Sequence, residues 1–246
     1  MLDLIAMWKN PKMIAYTIFT ALLYPAVMYP FLQFSFFGAN ADYLRVGVSI
    51  PVAFSFLFGP AAAWGAAFGN VIYDIFTNSL NAASYFGFIG NFLIAYIPYK
   101  LWTAMANQKP DLRSIKKVAL FMGLAALACT LCGLVIGWGL YYLWPNFCPF
   151  VMTSATIFAT DALWAILLGP VILALSYGFV SKRKLLYTNI LKIEAKSSWN
   201  RAKSVALLVF VASTVLCFVL PGFIIMDSWM LLPFVADSLV AVLITC

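Results

Sequence analysis

Apolar residues run along this chain in stretches far longer than the alternation of a strand or the one-sided stripe of a surface helix. The first stretch extends from about Met13 to Phe37 and contains Pro25 and Pro30. A polar link, Gly38 to Asp42, separates it from a second stretch, Arg45 to Phe58, only about 21 Å long as a helix, which stops at Gly59-Pro60. A third runs from Ala61 to Phe76, and the Asn- and Ser-rich link Thr77 to Ser84 leads to a fourth, Tyr85 to Met105. After a basic link come a fifth, Val118 to Leu143, the turn Trp144 to Pro149, and a sixth, Val151 to Phe179. Beyond the polar stretch Ser181 to Lys203 lie a seventh, Ser204 to Met226, and a shorter eighth, Trp229 to Thr245, which either spans a thin bilayer or re-enters it. The pattern predicts an all-α membrane protein: a six-helix bundle over residues 1–180, a basic linker over 181–203, and a further transmembrane hairpin over 204–246.

Composition supports that pattern. The chain is 65% hydrophobic and 9% charged over 246 residues, with a mean hydropathy of +0.98. A soluble domain is about half apolar and a quarter charged, because its surface faces water. A spanning helix needs about 20 apolar residues, so this length accommodates roughly six to eight spans. The apolar stretch behind Lys9 and Lys12 exceeds the h-region of a signal peptide, so no cleaved leader is expected.

The net charge of +7 is distributed as loop charge, with no basic domain to grip nucleic acid. With alternate spans crossing in opposite directions, fourteen of the fifteen Lys and Arg residues fall on one side and Arg45 alone on the other. Positive loops stay in the cytoplasm. The expected placement is the cell membrane, with both termini cytoplasmic.

The sequence contains no histidine, which removes Ser-His-Asp triads, most zinc-hydrolase signatures and histidine proton relays. Nothing around Asp74, Asp161 or Asp237 marks a two-aspartate enzyme, so no catalytic residue, cofactor or metal is expected. Cys129 and Cys132 form a mid-span CxxC without further ligands, and read as small apolar packing residues.

Ionisable groups within hydrocarbon are costly, and each is a functional candidate. Arg45 and Asp74 lie fourteen residues to either side of the Gly59-Pro60 turn, so two antiparallel helices bring them to one depth near the outer face. They form either a structural ion pair or a joint grip on a ligand. Asp161 lies about 15 Å below the outer start of the sixth span, where a carboxylate needs a cation, a donor-rich ligand or Arg45; proton coupling is a third possibility. Asn70 and Asn91 contact a ligand or bridge helices. Trp138, Tyr141, Tyr142 and Trp144 form either an interfacial belt or an aromatic wall for a flat ligand, which Tyr85, Phe86 and Trp164 extend. Gly65 and Gly69 form a GxxxG, a signal for close helix packing.

The run Leu-Arg-Val-Gly-Val-Ser-Ile-Pro-Val-Ala-Phe-Ser-Phe-Leu-Phe-Gly-Pro from Leu44 to Pro60, followed by Gly65, Gly69-Asn70 and Asp74, resembles the S components of energy-coupling factor (ECF) vitamin transporters. That resemblance implies a six-helix subunit that captures a vitamin or related micronutrient in an outward-opening pocket. A membrane scaffold subunit and two cytoplasmic ATPases would be its partners. No phosphate-binding Gly-x-x-x-x-Gly-Lys-Ser/Thr loop is present, which agrees with ATP hydrolysis by partners. On this reading Arg45, Asp74, Asn91 and Asp161 supply polar contacts and Trp138, Tyr142 and Trp164 supply aromatic ones. The family docks its scaffold through an Ala-xxx-Ala patch on the first helix; here Thr17 to Ala21 is the nearest, looser counterpart. The hairpin after residue 203 departs from the six-span pattern. The alternative is a membrane sensory or scaffolding module in which Arg45 and Asp74 are purely structural and the basic linker engages a cytoplasmic partner.

Overall fold

The computed structural model describes residues 2–34, 44–106 and 109–193, with a few positions between 205 and 216. The polar link over 38–42, the expected seventh and eighth spans and Asp237 therefore lie outside the described residues, apart from those few positions. A short helix α1 (Leu2–Ala6) leads through a 3-10 turn into α2 (Pro11–Met28). Asn10 caps α2 by accepting the Lys12 N–H at 3.0 Å, and Pro11 occupies the first turn, where its missing donor costs nothing. The α-helix ends earlier than the apolar pattern, passing into a 3-10 turn over Tyr29–Phe31 that contains Pro30. A 3-10 turn at Val46–Val48 opens α3 (Ser49–Phe58), and α4 (Pro60–Phe76), α5 (Ala83–Ala106) and α6 (Ile115–Leu143) follow.

The expected sixth span is two helices, α7 (Phe150–Leu167) and α8 (Gly169–Lys182), and a final turn, α9 (Tyr187–Ile190), follows. The break falls at Gly169-Pro170 because Pro170 has no N–H to donate one turn back and its ring crowds the preceding carbonyl. Leu168 and Ile172 still donate to Trp164 O and Leu168 O, both at 2.9 Å, so the chain bends there without losing its ladder on either side.

Three helical stretches, Pro11–Phe31, Ile115–Leu143 and Phe150–Leu167, are long and apolar enough to cross a membrane. Ile18, Phe19, Leu22, Leu163, Val171 and Leu175 stand exposed on the outside of the bundle, as lipid-facing side chains do. Among the described residues there are helices and turns but no strands.

α3 is the centre of the bundle. Every residue from Arg45 to Ala63 is buried, and α3 packs against α2, α4, α5, α7 and α8. A helix apolar on all sides belongs in an interior, and Phe54, Phe56 and Phe58 fill that interior, Phe56 stacking on Phe121 at 4.8 Å. Around it α2 packs on α4, α4 on α5, α5 on α6 and α6 on α7. The α2–α4 contact is a close one: a side chain at Gly65 would meet Thr20 at 2.5 Å and the Thr17 carbonyl at 2.9 Å, and one at Gly69 would meet Tyr24 and the Ala21 backbone. Thr17 and Ala21, expected to dock a scaffold subunit, are buried at this α2–α4 contact.

At one end of the bundle the chain doubles back on itself. Gly59 takes φ +53°, a left-handed conformation natural to glycine, and the ring of Tyr187 covers it so closely that a β-carbon would lie 2.7 Å away. The Tyr187 hydroxyl shares a 2.8 Å hydrogen bond with Thr103, and burial pushes its pKa up to about 12. Nearby, Lys100 donates to Asp3 at 2.9 Å and Tyr99 donates at 3.3 Å, tying α1 to α5. Burial pushes the Asp3 carboxyl up, but the Lys100 hydrogen bond and charge outweigh it and hold it below its ordinary value. A depressed carboxyl stabilises the fold above its unfolded pKa and stops doing so as pH falls through its folded one. The clasp should thus be intact at neutral pH and release below about pH 4. Trp64, whose indole donates to Leu4 O at 3.2 Å, reports this as an acid-induced emission change that Asp3→Asn shows already at neutral pH.

Candidate functional site

A chain of polar side chains crosses the interior of the bundle. Arg45 precedes the turn into α3 and is 4% exposed; Asp161, about 16 Å along α7 from its start, is 0% exposed. Their side chains meet with Arg45 Nε 2.6 Å from Asp161 Oδ1. The approach is an ion pair without hydrogen-bond alignment, and the Cys132 thiol of α6, a weak donor, stands beside the same carboxylate.

From Arg45 the chain continues to Asn91 on α5, which is wholly buried. Its Oδ1 accepts from the Tyr24 hydroxyl at 2.8 Å and, at a long 3.5 Å, from Arg45 Nη2. Its Nδ2 donates to Gly87 O and to Asn70 Oδ1, both at 2.9 Å. Asn70 then donates from Nδ2 to Asp74 Oδ2 at 3.1 Å, one turn further along α4. Asp74 closes the chain at the C-terminal end of α4, where its carbonyl accepts the Ser79 N–H at 2.8 Å and so holds the link to α5. An open recess of about 680 Å³ sits beside this link, lined by Val71, Leu80, Asn81, Ser84, Tyr85 and Phe88 among others.

Arg45 and Asp74 thus belong to one network, but among the described residues it is Asp161 that makes ion-pair contact with Arg45, and Asp74 is reached through two amides. Asn91 bridges helices, bonded to Tyr24 of α2 and Asn70 of α4 beside Arg45. Tyr24 carried no sequence signal, and Asn70 stood out only as an amide in an apolar stretch. The Asn70–Asp74 spacing of four, one helical turn, is the pattern that links them.

The aromatic candidates separate. Trp138 and Tyr142 stack at 5.8 Å near the end of α6, and Phe86 meets Trp138 edge-on at 5.6 Å. Trp164 lies about 21 Å down α7 and is not part of that cluster. It is half-buried, with its indole Nε1 buried and without a hydrogen-bond partner among the described residues. Cys129 and Cys132 are free and wholly buried on α6. Among the described residues no group of three or more His, Cys, Asp or Glu side chains is placed to hold a metal ion.

A model of the QueT transporter family matches residues 13–177, a span that runs from α2 into α8 and includes every member of the polar chain. No curated protein and no solved structure matches the sequence. With more than half of its length matched and an all-helical membrane fold around the matched motifs, the chain belongs to the QueT transporter family, the membrane-embedded S components of ECF-type transporters.

Proposed function

We propose that the Arg45–Asp161 pair is the heart of the substrate site and that the protein captures a small, planar, donor-rich heterocycle from the external side. The observation that carries this reading is the pair itself: two opposite charges, almost wholly enclosed, with the carboxylate met only by a guanidinium out of hydrogen-bond alignment and by the weak thiol donor of Cys132. Buried acceptors in folded proteins are nearly always satisfied, so a ligand N–H completes what the protein leaves open. Arg45 contributes one positive charge, and Asp161 and Asp74 contribute two negative ones. That balance favours a neutral or cationic ligand over an anion. The family's association with queuosine precursors makes these the first compounds to try, ahead of B vitamins. Asp74 and Asn91 shape the same site from the external side; Trp138 and Tyr142 flank its approach, and Trp164 offers its indole N–H from below.

Transport is energised, on this reading, by a membrane scaffold and two cytoplasmic ATPases, since the chain has no phosphate-binding loop of its own. Lys100 and the Lys9–Lys12 segment lie at the Gly59 end of the bundle, and the positive-inside rule assigns that end, with both termini, to the cytoplasm.

The direct test is heat stability of the purified protein against a panel of queuosine precursors and B vitamins. A ligand at a hundred times its Kd stabilises by about 2.7 kcal/mol, a shift of several degrees. One compound should produce it, and Asp161→Asn should abolish it. A panel with no shift, or a shift that survives Asp161→Asn, refutes the assignment.

A further inference from the structure

We infer that Asn70 is a positioning residue for the substrate site, acting through Asn91 on Arg45 without touching the ligand. The inference rests on the site proposed above and adds to it the device that holds Arg45 in place. An asparagine amide presents an acceptor on one side and two donors on the other, and in an apolar interior the two orientations differ only through their partners. Asn91 uses both sides: Oδ1 faces Tyr24 and Arg45, and Nδ2 faces Gly87 O and Asn70 Oδ1. Rotating this amide by half a turn would set its donors against the guanidinium, donor facing donor. The Gly87 carbonyl and Asn70 Oδ1 are the acceptors that oppose this rotation.

Asn70 is itself oriented by Asp74, which takes only a donor, so the Asn70 amide must turn its oxygen to Asn91. The orientation is thus handed inward from a carboxylate at the external end of α4 to the buried cation. Gly87 makes the arrangement possible: a β-carbon there would lie 2.6 Å from Asn70 Nδ2 and push the amide aside. The external link held by the Asp74 carbonyl is by this route mechanically joined to the site.

Four variants test the inference, each assayed for binding of the queuosine precursor that stabilises the wild-type protein and for its own ligand-free thermal midpoint. Asn70→Leu, close in size but without polar atoms, removes the acceptor and should weaken binding about threefold to tenfold, the range for a lost hydrogen bond between neutral groups. Gly87→Ala should do likewise by displacing Asn70. Asn70→Asp keeps the oxygen that faces Asn91 and should bind more tightly than Asn70→Leu, although its added half-buried carboxylate beside Asp74 makes it the less heat-stable of the two. A merely structural role would make affinity follow stability, the opposite order. Binding by Asn70→Leu within twofold of wild type, or affinities that track thermal midpoints, overturns the inference. Asp161→Asn separates this from failure of the site itself: binding that survives it removes the site, whereas binding lost in Asp161→Asn but intact in Asn70→Leu removes only the role of Asn70.

Discussion

Arg45→Met should destabilise the protein by about 3–5 kcal/mol, the cost of removing one partner from a buried ion pair and leaving its counter-charge enclosed. Asp161 is wholly buried and Arg45 is its cationic contact, so no solvent is at hand to screen the carboxylate that is left. Asp161→Leu alone should cost less than Arg45→Met, because the guanidinium keeps other contacts, the Asn91 amide oxygen among them. The double variant, in which both positions are apolar, should recover most of the stability, because the interior then contains neither charge. It should not recover ligand-induced heat stabilisation. Thermal midpoints of the three variants, measured with and without ligand, give the comparison. A double variant that binds normally would show the pair to be scaffold alone, and an Arg45→Met variant as stable as wild type would show that Arg45 is not the buried counter-ion described here.

The second large effect is expected at the α2–α4 contact. Gly65→Leu must push against Thr20 and the Thr17 carbonyl, and the latter belongs to a helix backbone that cannot turn aside. Overpacking of this kind costs about 1–3 kcal/mol, and here it also separates two helices that approach closely because both present small residues. Gly123→Leu on α6 is the control: nothing lies within 4 Å of the position, so added bulk meets only the outside of the bundle. It should leave the midpoint unchanged or raise it slightly, since glycine is a poor helix former. Equal losses from the two substitutions would contradict the packing described for Gly65.

The helices were legible in the sequence because long apolar stretches, punctuated by Gly59-Pro60, Asn and Ser clusters and basic links, leave few other readings. The break inside the sixth stretch was present as Gly169-Pro170 but was submerged in apolar residues on both sides, and only the backbone geometry divides α7 from α8. Arg45 and Asp161 stood out as charges in hydrocarbon. Which acid pairs with Arg45 depends on the rotational phase of α7 and α4 about their axes, and depth counted along a helix carries no information about phase. The same limit hid Tyr24, and it hid that the Thr17 and Ala21 backbone lies against Gly65 and Gly69. Asn70 and Asn91 were visible as amides, but their connection through Gly87 is a property of two helices side by side.

The enclosure of α3 has a consequence for how the protein is made. From Val46 to Phe58 the chain covers about 20 Å as a helix, too little to cross a bilayer unaided, and in the finished bundle its flanks touch protein on all sides. Newly synthesised α3 therefore gains no lasting home among acyl chains. It must enter as one arm of a hairpin with α4, hinged at Gly59-Pro60, and shelter beside α2 until α5, α7 and α8 emerge from the ribosome to surround it. Nascent chains arrested soon after Phe76 should expose this segment to quality-control proteases, and chains extended past Lys182 should conceal it.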